Sequence, residues 1–287
     1  MSKISNWRGA LLSPIRRGRP VAWTPNFMGF GNVLHVVMWA WLQERVGHRS
    51  FVLATPAIEP WMDTFPGMRR YVLERHEVKF TDRRSFPWSE TKELREVDPE
   101  AGYDSFDDAD FLNFVNAVII QGSPMSAPGF LDVDPDLLVI NVRRGDYYSV
   151  PAIRGEYGFD IDAYLKEAMR ELVAAQGPPS QILVVSDGPQ WCRARLGWLA
   201  DYAPVEYPPE DAGAVANLMA LARANRIVMT NSTFSYWGAH LSNALRGNNH
   251  SLCWAPDFFD RTRNGGRAFL LDPRWSVVRD IPGGWDS

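Results

Sequence analysis

The feature that most limits how this chain can fold is the run of short apolar segments alternating with helical ones between Leu137 and Trp254. Leu137–Val142 is apolar but for Asn141, and Gln181–Ser186 is nearly as uniform; residues 226–230 and 251–254 are shorter strands of the same kind. Between them, residues 161–175, 189–199, 211–225 and 234–245 read as helices. A strand without a polar face must be covered on both sides, and helices that recur between such strands supply that cover as crossovers. The second half therefore predicts a doubly wound parallel sheet.

The first half has a coarser grain. Residues 20–24 read as a strand, Met28-Gly-Phe-Gly-Asn32 as a turn, and 33–46 as a helix stopped by Gly47; residues 50–54 are the next strand. From 59 to 129 the pattern is irregular, with one helix expected at 106–120. Ala127-Pro-Gly129 and the acidic Asp132-Val-Asp134-Pro-Asp136 mark the crossing to a second domain. At 287 residues the chain has room for two α/β domains, placed at 1–134 and 135–287 and expected to face a cleft.

Several function classes are unsupported. A net charge of −4 gives no electrostatic footprint for nucleic acid, and Arg16, Arg17 and Arg19 read as an exposed lead-in to the first strand. The longest apolar run, 33–42, is too short to span a membrane, and no secretory pattern precedes it, so a cytoplasmic protein is expected. The two cysteines, Cys192 and Cys253, lack metal-ligand spacing and are expected to be buried free thiols. The five histidines are scattered, and neither a metal nor another cofactor is expected.

In open α/β sheets ligands gather beyond the carboxyl ends of the strands, which selects four loops. Asn141-Val-Arg143-Arg144-Gly145-Asp146 places adjacent arginines at a strand end, where a guanidinium can grip a phosphate with paired hydrogen bonds while Asp146 orients it. Ser186-Asp187-Gly188 ends the next strand and also suits a helix cap. Asn231-Ser232-Thr233-Phe234-Ser235 joins a strand to a helix, and a helix start offers N–H groups and a positive dipole end to an anion. Gly29-Phe30-Gly31-Asn32 is a G-x-G turn in the first domain, a weak signal by itself.

These loops also resemble a known family. Asn141-Val-Arg143-Arg144-Gly145-Asp146-Tyr147 is similar to the H-x-R-R-x-D motif of fucosyltransferases, and Asn231-Ser-Thr-Phe-Ser-Tyr-Trp-Gly-Ala239 resembles the N-S-[ST]-F-S-W-W-G-A stretch of the α-1,2 family. Gly29 to Val33, Ser186-Asp187 and Ala255 to Phe259 follow that family's pattern in the same order. The resemblance implies a GT-B fold of two Rossmann-like domains and metal-independent inverting transfer of fucose from GDP-fucose to a glycan or glycoside hydroxyl. On that resemblance Arg143 holds the donor phosphates and Asp146 supports it. Ser232 and Thr233 meet the diphosphate, with Asn141, Arg144, Ser186, Asn231 and Phe234 around the donor. Gly29, Gly31 and Asn32 lie on the cleft side of the first domain.

Three positions depart from the pattern: Asn141 replaces the motif's histidine, Gly188 the second aspartate of S-D-D, and Asn217 the carboxylate that reads the guanine. An amide cannot accept from both guanine N1–H and N2–H as a carboxylate can. Other readings therefore stay open, namely a GT-B transferase using a different nucleotide sugar and a non-catalytic nucleotide- or sugar-binding protein. Glu156, in the loop after the arginines, and Asp187 are the candidate general bases. Asp132-x-Asp134-x-Asp136 is similar to the carboxylate motif with which other glycosyltransferases hold a divalent ion, but it precedes its strand and reads as an interdomain turn.

Overall fold

The computed structural model describes residues 17–26, 28–85, 108–209, 211–262 and 264–285, which fall into two compact units parted between Pro124 and Met125. Each is an α/β unit built on a parallel sheet, the composition expected of a GT-B chain.

The first unit contains β1 (Pro20–Ala22), α1 (Phe30–Arg45), β2 (Phe51–Leu53), α2 (Glu59–Thr64), β3 (Val72–Leu73), β4 (Arg83–Ser85) and α3 (Asp108–Phe114). Its strand order is β3-β2-β1-β4, and every pairing is parallel. Helix α1 starts three residues before the expected position, because Phe30 is buried and stacks on Trp61 with ring centroids 3.6 Å apart. Gly31 and Asn32 therefore belong to the first helical turn, and the expected G-x-G turn retains only Gly29, at the N-cap. The helix expected at 106–120 is α3, running on as a π-helical turn over Val115–Ile120; positions 106 and 107 lie outside the described residues.

The second unit contains β5 (Leu137–Val142), α4 (Gly145–Ser149), α5 (Pro151–Tyr157), α6 (Ile161–Gln176), β6 (Gln181–Ser186), α7 (Pro189–Arg195), β7 (Val205–Glu206), α8 (Gly213–Arg223), β8 (Arg226–Met229), α9 (Thr233–Arg246), β9 (Cys253–Pro256) and β10 (Ser276–Val278). The six strands lie parallel in the order β10-β9-β8-β5-β6-β7. Alternate residues of β5 feed two cores. Leu138, Ile140 and Val142 meet α6 and α7 on one face, whereas Val139 meets α8 and α9 on the other. Each such fully buried aliphatic side chain is worth about 1.5–3 kcal/mol. The unit is doubly wound.

Asp132, Asp134 and Asp136 lie in the turn entering β5, at its amino end. Asp134 accepts from the Asp136 N–H and the Ser180 hydroxyl, which closes the turn. Cys192 and Cys253 are buried free thiols on opposite faces of the sheet. Burial pushes the Cys253 thiol up to about 12. Among the described residues no helix is long and apolar enough to cross a membrane.

Candidate active site

The strand order creates the site. From β5 the chain adds β6 and β7 on one side, then returns to add β8, β9 and β10 on the other. Neighbouring crossovers diverge between β5 and β8, so a crevice opens at their carboxyl ends. Arg143 leaves β5 there, and Asn231, Ser232 and Thr233 leave β8 beside it.

Hydrogen bonds tie the two strand ends together. The Arg143 N–H donates to the Thr230 hydroxyl at 2.9 Å, and the Thr230 N–H to the Asn141 carbonyl at 3.2 Å. Asn141 is 5% exposed and spends its side chain on the fold: its amide donates to the Val185 carbonyl, and its oxygen accepts from Ser235 at 2.5 Å. Asn231 is likewise buried, donating to the carbonyls of Tyr157 and Phe259 at 2.8 Å each. The Ser186 hydroxyl donates to the Val142 carbonyl and accepts from the Gly188 N–H. Through these bonds Asn141, Asn231 and Ser186 shape the loops.

Arg143 occupies the mouth of the crevice between two carboxylates. One terminal nitrogen donates to Asp187 at 2.6 Å and the other to Asp146 at 2.5 Å, while the guanidinium lies 5.0 Å from the centre of the Tyr147 ring. Tyr147 in turn stacks on Tyr157. Arg143 and Asp187 each leave 33% of their side chains in solvent, so the pair is held but reachable. Each terminal nitrogen has a second hydrogen for a ligand. Asp187 also accepts the Arg144 N–H at 2.6 Å, so both its oxygens are engaged. That makes it an orienting group and a poor candidate base.

Gly145 has φ +22°, and a Cβ there would lie 2.6 Å from the Asp187 carboxylate, so the R-R-G turn needs glycine to admit it. Glu156 lies on α5, where a loop was expected, because the hydrogen bond from Asn231 to Tyr157 anchors that short helix to the crevice. One Glu156 oxygen accepts from the Thr262 hydroxyl at 3.0 Å. Across the crevice, Ser232 is the N-cap of α9 and Thr233 its first residue. The Ser232 side chain makes no cap hydrogen bond, and the first N–H groups of a helix have no partner within it. Phe234 is half-buried and packs on the core behind. Asn217 is half-buried on α8.

Arg144 turns aside from its neighbour. Its guanidinium lies over the rings of Tyr148 at 3.7 Å and Trp191 at 4.3 Å, and burial lowers its pKa. Sequence reasoning assigned no role to Thr230, Tyr148 or Trp191. Thr230 ends the apolar run 227–229, which was the available signal; the two rings had none. Among the described residues no group of three or more His, Cys, Asp or Glu is placed to hold a metal ion.

The family model for glycosyl transferase family 11 matches residues 105–248, half of the chain, including both crevice loops. The chain belongs to glycosyltransferase family 11. This family 11 chain is 32% identical to the galactoside alpha-(1,2)-fucosyltransferase 1 of Saimiri sciureus over 103 residues, and 31% identical over as many to that of Alouatta caraya. Each match covers 36% of this chain and 28% of the relative's own length. It is similar to an Arabidopsis thaliana FUT1 variant in complex with GDP, at TM-score 0.43 and 13% identity over 95% of this chain and 79% of that one. It is also similar to POFUT1 in complex with GDP, at TM-score 0.34 and 13% identity over 96% and 79%. Likeness at that level adds nothing to the assignment to family 11.

Proposed function

We propose that this chain is an inverting α-1,2-fucosyltransferase that moves fucose from GDP-fucose to a carbohydrate hydroxyl without a metal ion. The observation that carries this is Arg143, fixed by Asp146 and Asp187 at the sheet's switch point, opposite the uncapped start of α9. A guanidinium and a helix start facing one crevice form a preorganised receptor for a diphosphate.

In one displacement the acceptor oxygen forms a bond to the fucose anomeric carbon as the bond from that carbon to the β-phosphate oxygen breaks. The leaving oxygen keeps the electron pair, and Arg143 with the α9 N–H groups stabilises the charge. The acceptor proton passes to a carboxylate, for which Glu156 is the better candidate, since Thr262 engages one of its oxygens while Asp187 has both occupied.

The departures at Asn141 and Gly188 do not argue for a spent enzyme. Asn141 joins β5, β6 and α9, and Gly188 makes room for Arg144. The test is transfer of labelled fucose from GDP-fucose to a galactoside in excess EDTA. Transfer at the rate seen without chelator supports the proposal. Transfer that stops with EDTA and returns with Mn²⁺ overturns the metal-independent mechanism, and GDP binding without turnover favours a non-catalytic binder.

A further inference from the structure

Beside the crevice the second unit holds a cavity of about 660 Å³ whose chemistry the transfer mechanism does not use. Its wall includes Arg144, Arg154, Arg261, Tyr148, Trp191 and Asp160. Tyr148 and Trp191 pack on the core under α6 and α7, whereas Tyr157 and Phe234 by the donor crevice pack on the core under α8 and α9. The adjacent arginines of the R-R-G-D turn thus serve different places, Arg143 the crevice and Arg144 this cavity.

The charge in the cavity is unbalanced. Arg144 is positioned by two aromatic rings, and its guanidinium makes no ion pair among the described residues. Arg154, exposed on α5, makes none there either, and it lies near enough to depress the Arg144 pKa. Arg261 donates to the carbonyls of Gly158 and Trp285. The wall also carries the carboxylate of Asp160, which serves as the N-cap of α6 and accepts from the Ala163 N–H. Positive side chains converging on a concave surface favour an anion, and the volume suits a ligand of one or two sugar rings.

We propose that this cavity binds an acidic sugar unit of the acceptor, with a carboxylate or phosphate held by Arg144 and Arg154. The proposal rests on the glycosyltransferase reading for the word acceptor, while the binding itself needs no donor. Calorimetric titration of the whole chain with glucuronic acid, glucose 6-phosphate, glucose and inorganic phosphate tests it, with GDP titrated in parallel. At least one acidic sugar should bind about tenfold or more tightly than glucose, because hydrogen bonds between charged partners are the strong ones. That preference should shrink as salt is raised. Arg154→Gln should weaken the acidic sugar several-fold and Arg154→Glu should abolish its binding, with GDP binding unchanged in both. Whichever acidic sugar binds more tightly identifies the group recognised.

The proposal fails if glucose binds as well as the acidic sugars, if none of the sugars binds, or if Arg154→Glu binds the acidic sugar as the parent does. It also fails if inorganic phosphate matches glucose 6-phosphate, since the sugar would then contribute nothing. Acidic-sugar binding without GDP binding would leave the cavity standing and sink the fucosyltransferase reading. The reverse result would sink the cavity alone.

Discussion

A Cβ added to Gly188 would lie 2.8 Å from the Cβ of Arg144, closer than two such carbons approach in folded proteins. The glycine that replaces an aspartate of the family pattern is thus matched to the path of the second arginine. Gly188→Asp should force Arg144 off the Tyr148 and Trp191 rings. We expect a loss of about 1–3 kcal/mol, the usual cost of overpacking, read as a lower melting temperature. A variant that melts with the parent would mean that Arg144 moves at no cost.

Arg143→Ala should lower turnover on the order of 10²–10³-fold, the typical effect of removing one donor that stabilises developing charge. Arg143→Lys should recover little, because an ammonium cannot span Asp146 and Asp187 while gripping a phosphate with a second prong. Steady-state rates under saturating donor check both. Parental turnover in either variant would remove Arg143 from the phosphate role.

Asn217 tests the base. If it faces the guanine edge, its amide leaves one of two donors unpaired, at roughly 1–3 kcal/mol or about five- to 150-fold in affinity. Asn217→Asp should then gain affinity for GDP and not for UDP or dTDP. Equal binding of all three by parent and variant would show that this half-buried residue of α8 does not touch the base.

His240 sets a pH limit on stability. Burial within α9, 4.5 Å from the centre of the Trp275 ring, pushes its pKa down to about 3 from an ordinary 6.5. The unfolded chain takes up the proton below 6.5 and the folded chain only near 3, so stability falls as pH drops through that window. The slope is at most about 1.4 kcal/mol per pH unit. Melting temperatures at pH 7.5 and 5.5 should diverge more in the parent than in His240→Gln. Equal divergence would assign acid sensitivity to other groups.

The central strands were legible because burial on both faces writes itself as uninterrupted apolar sequence; β5 and β6 have the bounds their composition predicts. Edge strands β7 and β10, two and three residues long, carry too little pattern to register. Helices α4 and α5 were missed for a different reason. They are five and seven residues long and held by tertiary bonds such as that from Asn231 to the Tyr157 carbonyl, so local periodicity does not announce them. Chemistry at strand ends was readable as loops, but the division of labour between Arg143 and Arg144 was not. It depends on the turn at Gly145 and on Asp187, which lies 44 positions from Arg143 in the chain.

The contact between α8 and α9 has a further consequence. A Cβ on Gly238 would fall 2.6 Å from the Leu221 side chain, so the two helices touch where a larger residue would wedge them apart. One carries Asn217 and the other begins at Thr233. Their spacing acts as a caliper, and any side chain larger than hydrogen at position 238 would reset the distance between those two positions.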